Sequence, residues 1–408
     1  MLHLADRRAA AIRRAGEQPH AEHQHARRNK WNDFSIGADA TVNFTGTVDG
    51  FNSFNYVKDG PVSEIYGQLN AIGGNIFIAN PAGVQIGNSA QINVGSLYVT
   101  NRELEQSHLD AIAGKNTAAA IGDYLRTNGT IANPAAELMS LGSITSATSV
   151  TFDGSRIVLD TDRLFSGESG VGTGEMAKDN IKIFTNDENE VVLGYTSYTT
   201  TDPTDPNAGQ FGDREYFDIT VKGQLIEDFS GYMWVEDLFQ LQAMDTKLDG
   251  WFALRNAIDA NYTASNGGFN PIGTGTGDDA FTGRFDGLGY NIFGLNINKA
   301  DATNVGLFGY AGNGAYIRNF TINGGTITGG TNVGAAVGAF GPGAFISNIT
   351  NTADVTGTKN VGGIVGYADS ITLDGRIYNL GAVLGTENNV GGIVGYANDT
   401  TIGNQLGE

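Results

Sequence analysis

Cysteine is absent from the 408 residues, which excludes a disulfide framework and any thiolate-ligated metal. A chain without disulfides also suits passage through a membrane pore in the unfolded state, where a crosslink would jam. Charge is scarce, at 17% against a usual value of about a quarter. That is low for a helical enzyme and ordinary for a β protein rich in Gly, Asn and Thr. No apolar run approaches the roughly 18–20 residues that span a bilayer. Histidine almost vanishes after residue 30: four of the five lie before it, and only His108 remains. A His-Glu-x-x-His zinc site is therefore excluded, as is a G-x-S-x-G elbow with a histidine to serve it. His108 itself reads as a solvated residue on a short helix.

What is present points to β structure. Glycine is 59 of 408, without the period of three that collagen requires. Hydrophobic residues make up 40%, enough for a core. The net charge of −20 is uneven. Residues 1–30 hold seven Lys/Arg against three Asp/Glu, leaving 17 against 41 for the rest. A body this acidic repels phosphate backbones, so nucleic acid is excluded as a partner. The first 30 residues have neither the apolar core nor the cleavage site of a signal peptide. They read as a false start or frame-shifted segment before the coding sequence proper resumes at Trp31. The sharper alternative is a basic, His-rich metal-binding arm.

One phrase recurs near the C-terminus: NVGLFGYA at 304–311, NVGAAVGAF at 332–340, and NVGGIVGYA at 360–368 and again at 389–397. Its valines, Val305, Val333, Val361 and Val390, are 28, 28 and 29 residues apart. A fixed period of this size means stacked units, because one unit cannot bury its apolar face alone. A second phrase alternates with the first, at Ile317-Arg-Asn-Phe, Ile346-Ser-Asn-Ile and Ile377-Tyr-Asn-Leu. Each repeat is thus two short strands joined by turns, a coil of β-solenoid with the four valines in its core. Asn304, Asn332, Asn360 and Asn389, at the same spacing, read as a stacked ladder or as turn caps.

Upstream, residues 31–160 read as short strands and turns. NIFIANPAGVQIG (75–87) is strand, turn, strand, with Pro81 and Gly83 setting the turn. A helix is expected after Thr100, with Thr100 and Glu103 as its capping box, an apolar stripe of Leu104, Ala111 and Ile112, and a stop at Gly114. Strand-length pieces follow at 128–134, 138–145, 149–152 and 156–160. Residues 161–215 read as a loop-rich joint carrying two strands, 181–184 and 190–198. A second solenoid block is expected over 216–408, opening with a helix at 235–244 (Val235, Leu238, Phe239, Gln242) and a strand around Trp251–Leu254. It ends within a turn and without the cap that terminal coils need, so the chain is expected to be a piece of something longer.

Two blocks resemble known families. Residues 31–100, through WNDFSIGADATVNF and SEIYGQLNAIGGNIFIANPAGVQIGNSAQINVGSLYVT, resemble the haemagglutination-activity or two-partner-secretion domain. That domain begins the filamentous-haemagglutinin-like exoproteins of Gram-negative bacteria. The family's core turn, Asn-Pro-Asn-Gly-Ile/Leu, stands here as Asn80-Pro81-Ala82-Gly83-Val84, with Ala in place of one Asn. Residues 281–397 resemble the GLUG repeat of bacterial surface proteins. The resemblance implies an all-β, right-handed parallel β-helix. It also implies export by a cognate outer-membrane transporter that recognises the N-terminal domain, with Asn80, Pro81, Ala82, Gly83 and Val84 as the secretion motif.

The expected protein is a non-enzymatic, secreted surface adhesin of a Gram-negative-type bacterium, without cofactor or metal. Its receptor would be a protein or glycan on a host or neighbouring cell. The alternatives are a toxin carrier for contact-dependent inhibition, in the same secretion class, and a carbohydrate-active β-helix. For the last, Asp278, Asp279 and Asp286 are a candidate group of carboxylates, and they read better as turn residues. GTGTGDD (273–279) resembles a calcium-binding repeat but does not iterate. Asn-x-Ser/Thr triplets at Asn43, Asn128, Asn261, Asn319, Asn348 and Asn398 are as frequent as this composition gives by chance.

Overall fold

The computed structural model describes residues 26–46, 50–115, 117–167, 174–199 and 209–403. They form two units. One comprises the chain up to Tyr195 together with Glu215–Gly231, the other Thr196–Arg214 with the chain from Tyr232 onward. Both are built mainly of parallel strands stacked coil upon coil, the all-β parallel β-helix expected from the sequence; the first adds an antiparallel hairpin, Tyr216–Val221 with Gln224–Ser230.

In the first unit each coil contributes strands to three ladders. One ladder runs through Ala26–Trp31, Asn52–Val57, Gln68–Ala79, Gln91–Thr100, Ser143–Asp153 and Ile181–Thr185. A second runs through Ser63–Ile65, Val84–Ile86, Glu137–Ser140, Arg156–Asp160 and Val191–Tyr195. The third starts from Thr41–Asn43 and uses the first halves of the long strands. Alternation sends every second residue inward, so aliphatic residues stack in columns. Ile78, Val99, Phe152, Ile183 and Ile219 form one, and Val84, Leu138, Ile157 and Val191 another. All nine are buried.

Several expectations need correcting. The expected non-native segment ends too late: Ala26–Trp31 already pairs with Asn52–Val57, while residues 1–25 lie outside the described residues. The expected joint is in part ordinary coil, because Ile181–Thr185 and Val191–Tyr195 extend two ladders of the first unit. The helix starts at α1, Gln106–Ile112, and not at a Thr100 cap. Thr100 is committed to the ladder, opposite Ala79 and Asp153. Glu105 precedes α1 instead, and its backbone N–H donates to His108 Nδ1 at 3.3 Å. A second helix, α2 (Ala118–Asn128), replaces the start of the strand expected at 128–134; it is capped by the Thr117 hydroxyl.

In the second unit the repeat valines stand in register, Val305 opposite Val333, Val333 opposite Val361, and Val361 opposite Val390. The first three are fully buried; Val390, on the last such rung, is 46% exposed. Glycine is required beside this column. A Cβ on Gly357 would stand 2.7 Å from Val333 and 2.9 Å from Val361, well inside contact distance. The expected helix at 235–244 is shorter, Leu238–Ala243, because Asp237 caps it and Tyr232–Val235 is already strand. Phe239, assigned to its apolar face, is exposed.

Candidate functional site

The Asn80–Val84 turn is a corner of the first unit, between Gln68–Ala79 and Val84–Ile86. Asn80 is buried and fully engaged. Its Nδ2 donates to the Pro61 carbonyl at 2.8 Å and to Ser63 Oγ at 3.0 Å; its Oδ1 accepts from the Ala82 N–H at 2.9 Å. The Gly83 N–H closes the turn onto the Asn80 carbonyl at 2.9 Å. Gly83 has φ +112°, and a Cβ there would lie 2.7 Å from the Glu137 carbonyl oxygen of the next coil. Side chains are disfavoured on both counts. Val84 enters the core column, while Pro81 and Ala82 keep partial exposure. The corner therefore divides its labour: Asn80, Gly83 and Val84 hold the fold, and Pro81 with Ala82 present the only surface.

Sequence reasoning missed the most elaborate part of this unit. On the outer face of the first ladder, Phe54, Phe77 and Tyr98 form an aromatic column with ring centroids 6.1 and 5.7 Å apart. Such a face would normally meet water. Here Leu109, Ile112, Ile121 and Leu125 of the two helices pack onto it. Gly122 permits the approach, since a Cβ there would stand 2.8 Å from the Tyr98 ring. The cover is anchored by Asp153, which is completely buried. Its carboxylate accepts two bonds from Arg102, at 2.8 and 2.9 Å, and one from the Tyr98 hydroxyl at 2.7 Å. Arg102 in turn donates to the Gly129 carbonyl at the end of α2, at 2.9 Å. Burial, and then the Asp153 charge, hold the Tyr98 phenol well above its ordinary pKa. A usable signal was the spacing of apolar residues in 104–125 with no strand alternation.

Asn304, Asn332, Asn360 and Asn389 are both ladder and turn. All four occupy the left-handed region, at φ +62°, +56°, +53° and +66°. The amides of Asn332, Asn360 and Asn389 each donate to the Oδ1 of the one below, at 2.8, 2.7 and 2.7 Å, and that of Asn304 donates to the Thr274 carbonyl at 3.2 Å. Asn tolerates this conformation better than other non-glycine residues. The triplet residue Asn319 is buried at a similar corner, where it accepts from Asn348 at 3.0 Å.

The three candidate carboxylates do not act together. Asp278 and Asp279 sit exposed on a 3₁₀ turn. Asp286 is buried, paired with Arg318 at 2.8 Å and bonded to Asn319 at 3.0 Å. Among the described residues, no three His, Cys, Asp or Glu side chains gather as a metal site. No described helix is long and apolar enough to cross a membrane.

Residues 17–202 match the TPS secretion domain family. The chain is similar to halomucin of Haloquadratum walsbyi, 36% identical over 144 residues, which are 33% of this chain and 2% of that protein. It is similar also to the heme/hemopexin-binding protein of Haemophilus influenzae, 38% identical over 76 residues, 19% of this chain and 8% of the other. A third relative is a putative Gly-rich membrane protein of Evansella cellulosilytica, 39% identical over 61 residues, 15% of this chain and 7% of that one. The chain thus spans less than a tenth of the length of these relatives.

Proposed function

We propose, starting from the secretion domain of a two-partner-secretion exoprotein that this chain carries over residues 17–202, that it is the N-terminal part of a non-enzymatic surface adhesin. The domain match is the observation that carries this reading. A cognate outer-membrane transporter recognises the domain and exports the chain. The adhesin is displayed on a Gram-negative-type cell surface as a stack of coils and meets a protein or glycan on another cell. The 28- and 29-residue periodicity, read as GLUG repeats, supports a display role, since the in-register valines make each coil a copy of the last. The burial of Asp286 in an ion pair with Arg318, while Asp278 and Asp279 stand exposed, supports a non-catalytic reading.

Stacking also supplies a driving force. An emerging coil finds its columns already formed, so each addition is downhill without an external energy source. Within this reading the partly exposed pair Pro81 and Ala82 contacts the transporter, and the buried Asn80 and Gly83 present it.

The test is surface yield in a strain that supplies the transporter, with a signal peptide fused ahead of the chain. Ala82→Glu alters the partly exposed side of the corner and leaves the Asn80 and Gly83 bonds in place; it is expected to abolish secretion while the purified variant keeps wild-type circular dichroism. Asn80→Ala with Gly83→Val is expected to lose both. Normal yield from Ala82→Glu would reject recognition through this corner, and normal yield from the double variant would reject its folding role as well. Cleavage of a polysaccharide panel by the purified chain, lost in Asp286→Asn, would overturn the non-enzymatic reading.

A further inference from the structure

The aromatic column on the outer face of the first unit stops short. Along the register Phe54, Phe77, Tyr98, Thr151, Lys182, three rings give way to a hydroxyl and then an ammonium. The adjacent column is polar throughout, with Asn75 followed by Ser96 and Ser149. The helical cover ends where the rings end. Between the flank of α2 and these polar rungs lies a cleft of about 430 Å³, inside the range of about 300–1,000 Å³ usual for small-molecule sites. Gly122, Asp123 and Arg126 form its helical wall; Thr148, Lys182 and Phe184 line the sheet side.

Its chemistry is distinctive within a chain of net charge −20. Arg126 and Lys182 face one carboxylate, Asp123, which is bonded to Arg126. The Arg126 guanidinium lies 4.1 Å from the centroid of the Phe184 ring, which fixes its plane. Four hydroxyls, from Ser96, Thr148, Ser149 and Thr151, line the same space. Ser96 Oγ donates to Asn75 Oδ1 at 2.7 Å and Thr148 Oγ1 to the Gly95 carbonyl at 3.0 Å, so these two offer lone pairs, while the Ser149 and Thr151 hydroxyls can both donate and accept; together they match the donors and acceptors of a sugar. A planar cation with a nearby ammonium matches a carboxylate. An extended peptide fits worse. The strands of the floor are paired on both sides, so their backbones have no edge to offer.

We propose that this cleft binds a carboxylate-bearing saccharide, with Lys182 and Arg126 taking the carboxylate and the Ser96, Ser149 and Thr151 hydroxyls taking ring substituents. The proposal names a ligand class for the adhesin reading and rests on that reading only for where the saccharide is met. Binding by purified protein and export by the transporter are separate measurements, so either can fail alone.

Calorimetric titration of the purified full chain against a glucuronate-containing disaccharide and its uncharged glucose counterpart tests it. The acidic sugar is expected to bind saturably, and the uncharged one about tenfold more weakly, the scale of one lost charge-assisted hydrogen bond. Lys182→Gln, an exposed change that leaves the core intact, is expected to weaken the acidic sugar about tenfold. Lys299→Gln, in the other unit, should leave it unchanged. Thr151→Val should weaken both sugars together. Absence of saturation into the millimolar range, equal affinity for the two sugars, or an unaltered Lys182→Gln would overturn the proposal. So would displacement by inorganic phosphate at equal concentration, which would reduce the cleft to a general anion site.

Discussion

The two units stack coils in the same way and secure them differently. The second writes largely the same solution on successive rungs, with one singular device, the buried Asp286–Arg318 pair, near the start of its repeats. Val305, Val333, Val361 and Val390 repeat, and so do the asparagines one residue before them. The first repeats little. Its coils are held by particular devices: the Asn80 corner, the Asp153 clamp, and helices over an outward aromatic column. A repeated rung spreads stability over many equal contacts, whereas a one-off device concentrates it. The sharpest test of that difference is how unevenly single substitutions act in each unit.

Asp153→Ala should be the most damaging. It strips a buried partner from Arg102 and Tyr98, and breaking such a pair costs about 3–5 kcal/mol, toward the low end here because Arg102 retains some solvent. Urea unfolding would show it, and a loss no larger than that of a single rung would erase the contrast. Next is Gly83→Val. The left-handed φ and the crowding by Glu137 together imply about 2–4 kcal/mol. Asn332→Ala, in the middle of the ladder, loses two side-chain hydrogen bonds and gains backbone strain, about 2 kcal/mol in all. Asn332→Gly should cost about half as much, because glycine accepts the conformation. Combining Asn332→Ala with Asn360→Ala should cost about 1 kcal/mol less than the sum, since they share one bond. Strict additivity would show that the rungs are independent.

The smallest effect concerns pH and should appear in both units. Burial pushes the Tyr232 phenol of the second unit up to about 12, and Tyr98 of the first is raised as well. Both fold in the protonated form. That stabilisation is complete below the unfolded value of about 10 and is lost as pH rises through the folded value. At pH 11 Tyr232 should cost on the order of 1 kcal/mol relative to pH 9, with Tyr98 acting in the same direction. Tyr232→Phe should flatten the fall in melting temperature between those pH values, and an unchanged slope would show that Tyr232 does not titrate differently on folding.

How legible each part was follows from the same contrast. The valine columns could be read directly, because periodicity in sequence is periodicity in space when coils stack. The Asn80–Val84 turn was readable from local chemistry, Pro and Gly at fixed offsets. The helical cover was legible only in part: a helix around Ile112 was expected, but its start, the second helix and the anchoring by Asp153 were not. Thr100 resembles a helix cap in its own neighbourhood, and only its ladder partners Ala79 and Asp153 reveal that it is strand. Asp153 and Arg102 lie 51 residues apart, with no repeat to link them. Phe239 misled in the opposite sense, as a large apolar residue that stays in water.

The 28-residue step between Val305 and Val333 has a mechanical meaning. A fully extended segment of that length reaches on the order of 90 Å. Once wound into a coil it lengthens the stack by one strand spacing, about 4.8 Å. Winding therefore reels in roughly twenty times more thread than the rod gains in height, a gearing in which small axial growth takes up a long reach of slack chain. Pulled from its end, such a rod should pay out in steps of nearly 90 Å, one coil at a time, each step marked by the parting of one asparagine pair.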